Sequence, residues 1–492
     1  MKTGPSLSLR LPVLLACALM AAAAFHGTRG LYETTEGRYA ECAREMAQAG
    51  TWLEPVLNGH PHWTKPPLTY LAIRIPYSVM GPTTWAARLY LIPCYLVTIV
   101  AVWWLAFRLW RDRESAGMSA LVYATAAIPM IASQTVSADY PLTVSLALTQ
   151  ACFWEALRKR SRWAVHLMWL FLGIAFLIKG PPALLMAPAM ILVWARLPRQ
   201  ERRLIRLFAP SALAVFVFAG FGWYAWEAYR HPGLMGYWLH EEVVNRSLSD
   251  KFGRNPQFYM NFVVYLPILL FGTLPWSGWL AFRWREVRDR IAVPGGLKGA
   301  WSGLSDEAFW LLWSTVLPLG VFMLSRSKLP LYVLPLFVPL AAGAGRLLLA
   351  VDGRASWFRK AVLSVACGMF VLFAAGKGGV GFIRNERDMA VLHRQLTGPG
   401  GVSDPTRLAL FGEKHLNGLS FYCDRTLPLV TADRLESWAD AGGERFVLCR
   451  SGRQATEVKR RLGGRPAEER VLAKRWRVIR VAGAAAAPAP DL

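Results

Sequence analysis

The chain has 492 residues, enough for several soluble domains, but 54% are hydrophobic and 22 are Trp, which points to lipid rather than water as the main solvent. A formal charge of +24 would suit nucleic acid if it lay on one face; the Lys and Arg are instead dispersed into short loops between apolar runs, so nucleic acid is excluded as a partner and the charge reads as orientation. Seven Cys show no CxxC and no metal-ligand spacing; only Cys423 and Cys449 share a soluble segment, as two thiols or as a disulfide.

In chain order, Lys2 and Arg10 precede an apolar segment that reads either as a signal peptide, with Ala21 to Ala24 as a cleavage site, or as an uncleaved first helix. The later loop charges alternate correctly only if the segment is kept. From a cytoplasmic start, helices are expected at about 9–25, 84–107, 115–132, 140–157, 163–179, 182–195 and 207–227. Four more follow: one after Tyr259, then about 308–325, 329–350 and 361–383. The basic segments RLWRDRE, RKRSR, RLPRQERRLIR, RWREVRDR and GRASWFRK all fall on the inner side. Residues 1–383 thus read as a membrane domain of about 11 spans with two long outer loops, about 26–83 and 229–259.

Beyond residue 383 the pattern changes. LALFG, LPLVT, RFVLCR and RVIRV are short β-type runs between polar helical stretches, which predicts a small extracytoplasmic α/β domain over 384–481. The low-complexity tail 482–492 is expected to be disordered. The fold class is a polytopic α-helical membrane protein carrying that small domain.

The chemistry-bearing residues gather in the outer loops. In the first, Tyr39, Ala43, Met46 and Ala47 share one helical face and Arg38, Glu41, Glu45 and Gln48 the other, which predicts an amphipathic helix lying on the membrane surface with Thr34 or Thr35 as its cap. Glu36 in its first turn is either a dipole-favoured carboxylate or a general base at the membrane boundary. Lys65, ahead of Pro66 and Pro67, is placed to grip a phosphate at headgroup depth or to snorkel to lipid. Asp139 is the sole charge between Arg113 and Glu155, a functional acid or a helix cap. Lys179 ends an apolar helix on the same side, and Lys328 and Tyr332 form a further outer-edge pair. In the second loop, His240, Glu242 and Arg246 stand on the same side. His240 beside two carboxylates suggests a divalent cation, but adjacent helical residues point apart and no third ligand is spaced for one.

These residues resemble the GT-C lipid-dependent glycosyltransferases, in particular the bacterial aminoarabinose (lipid A) transferase-like branch related to protein O-mannosyltransferases. The resemblance is carried by EGRYAECAREM, GTWLEPVLNG, KPPLTYL, SADYPLT, AFLIKGPPAL, RHPG with HEEVVNR, LPW and SRSKLPLYVLPLFVPL, and covers about 30–350. It implies inverting transfer of a sugar from a polyprenyl-phosphate donor to a lipid, glycan or protein acceptor at the outer face of the bacterial cytoplasmic (inner) membrane. Glu36 would be the base or acceptor-orienting group and Asp139 the second carboxylate; Arg38, Lys65 and Lys179 would hold the donor phosphate, with Lys328 and Tyr332 near it. Many relatives carry Asp-Glu before the Arg-Tyr pair where this chain has Thr34-Thr35-Glu36-Gly37, so the base is split between Glu36 and Glu33. Thr64 stands where the aminoarabinose enzymes have Glu, and Val243 where they have a metal-binding His, which puts a divalent cation and aminoarabinose specificity in doubt. The rival class is a transporter or flippase of lipid-linked sugars, which predicts mid-membrane charges and an internal repeat. Neither is visible in the sequence.

Overall fold

The computed structural model describes residues 10–245, 255–291, 303–353, 355–383, 385–399, 401–463, 465, 467–472 and 475–481. Arg246 and the tail 482–492 lie outside them. The chain divides into two compact units. The first holds the described residues of Met1–His26, Trp63–Thr69 and Leu89–Gly376; the second holds those of Gly27–His62, Tyr70–Arg88 and Lys377–Leu492. The hydropathy boundary at residue 383 falls near Lys377, but the sequence does not reveal that two early segments belong with the C-terminal one.

The first unit is helical. Among the described residues, five helices are long and apolar enough to cross a membrane: Thr84–Trp110, which begins in the second unit, then Arg162–Lys179, Asp306–Leu324, Pro330–Asp352 and Phe358–Val380. Two bent pairs, Arg199–Ile205 with Pro210–Arg230 and Asn261–Gly272 with Trp276–Phe282, raise this to seven if each is one span. The shorter helices are broken where sequence chemistry dictates. Arg113–Thr125 and Ala127–Ala132 part at an extended Ala126, three residues before Pro129, which has no N–H for the Thr125 carbonyl.

Small residues bring the helices close, as apolar packing without a hydrophobic drive requires. A Cβ on Gly345 would stand 2.5 Å from the Ser119 backbone nitrogen, and one on Gly173 would stand 2.9 Å from Ala219 Cβ. Ion pairs tie ends of helices, among them Arg108 with Glu155, Arg158 with Glu307, Arg196 with Asp306 at 3.3 Å and Arg283 with Asp352 at 3.1 Å. Each joins a basic segment read as inner to an acid on a neighbouring helix.

The second unit contains a short hairpin, β1 (Val56–Leu57) with β2 (His60–Pro61), and a five-stranded mixed sheet. Its strands are β3 (Leu408–Phe411), β4 (Leu429–Val430), β5 (Arg445–Cys449), β6 (Ala467–Leu472) and β7 (Trp476–Val481), in the order β4-β3-β5-β7-β6. β3 runs parallel to β4 and β5; β7 is antiparallel to β5 and β6. Leu408, Leu410, Phe446, Leu448 and Trp476 bury one face and Ala409, Val447, Cys449 and Ile479 the other, so the alternation of each strand serves two cores. Cys423 and Cys449 are free thiols, both pushed up to about 12 by burial.

The helix Thr35–Gln48 corrects the expectation of a surface-lying amphipath. Glu36, Glu41, Arg44 and Glu45 are buried along with its apolar face, because the rest of the unit supplies polar partners. Arg44 donates to both Glu41 oxygens at 2.7 Å and to Asp424 at 3.1 Å. Glu45 accepts from the hairpin nitrogens of Asn58 (3.0 Å) and Gly59 (2.9 Å) and from Thr426 Oγ1 (3.0 Å). Thr34 is at the N-cap but caps nothing with its side chain, and Thr35 is already helical.

Candidate functional site

Segment 30–33 is threaded along 387–389. Gly30 N donates to Asp388 at 3.0 Å, Glu33 N to the Arg387 carbonyl at 2.9 Å and Met389 N to the Leu31 carbonyl at 3.1 Å. The helix that follows packs Gly37 against Gly418, where a Cβ would meet Gly418 Cα at 2.5 Å. Glu33, Glu36 and Arg38 therefore stand in the unit built on the C-terminal sheet.

Glu36 is 3% exposed, and its carboxylate is engaged on both oxygens. Arg29 forks onto it at 2.5 and 2.8 Å, Arg88 reaches Oε2 at 3.2 Å and Tyr32 N donates at 2.9 Å. Burial by itself would raise its pKa, but the Arg88 and Arg29 guanidiniums overcome that and pull it down to about 2. In this arrangement the Glu36 carboxylate ties Arg29, Arg88 and the Tyr32 nitrogen together.

Glu33 has the opposite character. It is half-buried, and among the described residues only Oε2 is held, by Gly418 N at 2.7 Å. Burial raises its pKa, against the Gly418 hydrogen bond and the nearby charges of Arg450 and Arg38. Arg38, also half-buried, makes no hydrogen bond or ion pair among the described residues and stands 6.0 Å from the Tyr39 ring centroid.

In the first unit the structure joins residues that the sequence left separate. Asp139 opens the helix Asp139–Lys159 and pairs with Lys179 at the end of Arg162–Lys179. Each charge complements its helix dipole, the acid at an N-terminus and the cation at a C-terminus. The cap of the Asp139 helix is Ala138, so Asp139 serves as an ion-pair partner and not as the cap. Lys179 Nζ also lies 4.2 Å over the Tyr332 ring, a cation–π contact from a third element, Pro330–Leu336. Gly180 at φ +71° lets the chain turn away directly after Lys179.

Lys65 donates to the Thr64 carbonyl at 2.8 Å and to Glu242 at 3.3 Å. The turn carrying it is fixed by Trp63, whose carbonyl accepts from Trp238 Nε1 at 2.9 Å and whose ring packs on Trp223 and His231. Lys328 is 2% exposed, and its ammonium closes its own turn on the Ser325 carbonyl (2.7 Å) and the Pro256 carbonyl (3.3 Å). These two carbonyls engage the ammonium expected near the donor phosphate. His240 is exposed on the π-helix Trp238–Asn245.

Sequence reasoning missed Arg29, Arg88 and Arg450. Arg88 had a signal: it is the single charge in the apolar run expected from 84 to 107, and an ionisable residue in such a run needs a partner. Arg29 and Arg450 had none, since their partners lie far off in sequence or form only on folding.

Residues 10–224 match the family model for dolichyl-phosphate-mannose-protein mannosyltransferase. Over 333 residues the chain is 33% identical to an undecaprenyl phosphate-alpha-4-amino-4-deoxy-L-arabinose arabinosyl transferase of Sodalis glossinidius, covering 66% of this chain and 57% of that protein. A relative of the same description from Pseudomonas aeruginosa is 30% identical over 332 residues, 65% of this chain and 56% of its own. The chain thus spans less than two thirds of the length of these curated relatives. In structure it resembles ArnT from Cupriavidus metallidurans bound to undecaprenyl phosphate, with a TM-score of 0.73 at 19% identity over 95% of this chain and 97% of that one. It resembles the mycobacterial arabinofuranosyltransferase AftD more distantly, with a TM-score of 0.55 at 13% identity over 96% of this chain and 40% of that one.

The apolar helices, their paired charges and these likenesses define a polytopic helical membrane protein of the GT-C fold. Its sequence and fold are similar to those of the GT-C lipid-dependent glycosyltransferases, in particular the aminoarabinose transferase-like branch related to protein O-mannosyltransferases.

Proposed function

We propose that the protein transfers a sugar, a pentose or hexose, from a polyprenyl-phosphate donor to a lipid, glycan or protein acceptor at the outer face of the bacterial inner membrane. The observation that carries this reading is the Asp139–Lys179–Tyr332 group, an acid, a cation and an aromatic ring brought together from three helical elements of a GT-C membrane body. An acceptor hydroxyl oxygen attacks the anomeric carbon, the bond from that carbon to the phosphate oxygen breaks, and the polyprenyl phosphate leaves with the bonding pair. The configuration inverts in this single displacement. No covalent enzyme intermediate is required.

Lys179, oriented by Asp139 and Tyr332, and Lys65, oriented by Glu242, supply positive charge for the leaving phosphate. Arg38 is a further phosphate-binding cation, since its guanidinium makes no hydrogen bond or ion pair among the described residues. Glu33 is the general base: it keeps one oxygen outside any hydrogen bond among the described residues, and burial makes it a better proton acceptor than an exposed carboxylate. His240 and Glu242 belong to the second outer loop on the acceptor side, and both long loops and the α/β domain lie on the periplasmic side of the membrane.

The test is sugar transfer by the purified chain in nanodiscs supplied with polyprenyl-phosphate sugars and membrane lipid extract, with the product read by mass. A donor-dependent mass increment on one acceptor class, lost in Glu33→Gln, is the expected result. Movement of the donor across the bilayer without transfer would overturn the reading in favour of a flippase.

A further inference from the structure

The C-terminal sheet changes its winding direction at β3. The next strand in sequence, β4, pairs on one side of β3, whereas β5 pairs on the other. In open α/β sheets the two loops at such a switch diverge, and ligands bind in the crevice outside the carboxyl ends of the strands. A cavity of about 310 Å³ occupies that position here, lined by Phe411, Gly412, Glu413, Lys414, Arg450 and Gln454. The first four residues end and follow β3; the last two follow β5.

The walls are built rather than incidental. Arg450 Nη2 donates to the carbonyls of Lys414 (2.9 Å) and His415 (3.2 Å), which holds the guanidinium between the two loops. Gln454 Oε1 accepts from Arg450 N at 2.7 Å, so the amide is oriented as well. Gly412 has φ +115°, a backbone conformation that favours glycine, and its Cα side lies within ordinary contact of Gln454, where a Cβ would stand 3.4 Å from Nε2. Lys414 is exposed, and its ammonium has no partner among the described residues. Two cations thus face a single lining acid, Glu413, at the start of the ten-residue helix Gly452–Arg461, whose dipole adds positive potential.

We propose that this crevice binds the anionic group of a phosphorylated saccharide, with Lys414 and Arg450 on the phosphate and Gln454 on the sugar. The volume sits at the lower end of small-ligand pockets, roughly 300 Å³ upward, and suits one monosaccharide phosphate. That the saccharide is the head of the acceptor rests on the transferase reading above; the binding itself does not.

The experiment titrates the full chain in nanodiscs with glucosamine 6-phosphate, with inorganic phosphate and with glucosamine, following heat of binding and amide exchange at 411–416 and 450–454. Lys414→Glu is the main variant because the side chain is exposed and holds nothing in place; Gln454→Ala separates the sugar contact from the charge. Glucosamine 6-phosphate is expected to protect both loops, to bind more tightly than either control, and to weaken about tenfold or more in Lys414→Glu, the scale of one lost charge-assisted hydrogen bond. Equal binding by inorganic phosphate would overturn the saccharide assignment, and equal affinity in wild type and Lys414→Glu would overturn the site. Loss of transfer with binding intact counts against the transferase reading alone.

Discussion

Replacing Glu36 by Gln separates a structural carboxylate from a catalytic one. The acid is held at about 2 in the folded chain against an ordinary value of 4.5, a gap of about 2.5 units, or ~3 kcal/mol at about 1.4 kcal/mol per unit. Stranding a buried partner costs ~3–5 kcal/mol, and Arg88, 1% exposed, would be stranded. The two routes agree on ~3 kcal/mol. Because the folded pKa is depressed, this stability is fully present above about 4.5 and is lost as pH falls through about 2. The assay is amide exchange by mass spectrometry over Thr35–Gln48 in detergent. The expected result is protection lower by about two orders of magnitude, no acid-dependent loss over that window beyond what other groups contribute, and turnover per folded molecule retained. Wild-type protection with turnover abolished would refute the argument and return Glu36 to the chemistry.

Glu33→Gln keeps an oxygen for Gly418 N but removes the base, so kcat should fall by about 10²–10⁴ with little change in melting temperature. Since burial raises the Glu33 pKa, the wild-type rate should fall with decreasing pH at a point above that of a free carboxylate, and this limb should be absent from the variant's residual rate. Lys179→Met should weaken binding of polyprenyl phosphate about tenfold or more in a titration, and adding Asp139→Asn should cost less than it does alone, because the pair acts as one unit. Gly37→Ala should lower the thermal midpoint by the equivalent of ~1–3 kcal/mol, since its Cβ would stand 2.5 Å from the Gly418 backbone, while Gly222→Ala, with nothing within 4 Å, should leave it unchanged.

What the sequence reveals follows from the range of each signal. Hydropathy is local, and helices begin within a few residues of expectation at Leu11, Arg162, Asp306 and Phe358. The short β runs LALF, RFVLC and WRVIRV are likewise legible and form β3, β5 and β7. β6, AEERVL, escapes notice because it is an edge strand with three consecutive exposed polar residues, Glu468 to Arg470, followed by an exposed Val471, so it carries no apolar alternation. The helix Thr35–Gln48 misleads for a related reason. Its charged face looks solvent-directed until Arg44 meets Asp424 and Glu45 meets Thr426, contacts 380 and 381 residues apart. No periodicity reports such partners.

The same distinction decides which charged residues remain available for chemistry. Spacing identifies Glu33, Glu36, Arg38 and Lys328 as equals, four charges at loop positions near a membrane. The fold divides them by what each has already given away. Glu36 has committed both oxygens to Arg29 and Arg88, and Lys328 has committed its ammonium to two carbonyls. Glu33 retains an oxygen, and Arg38 retains its guanidinium. A general base needs a free lone pair and an affinity for protons close to the working pH, and a phosphate clamp needs donors not already spent on the protein. On the proposed mechanism, the members of the first loop that act on substrate are the residues that the surrounding fold holds least firmly, while its most completely bonded acid keeps the loop in place.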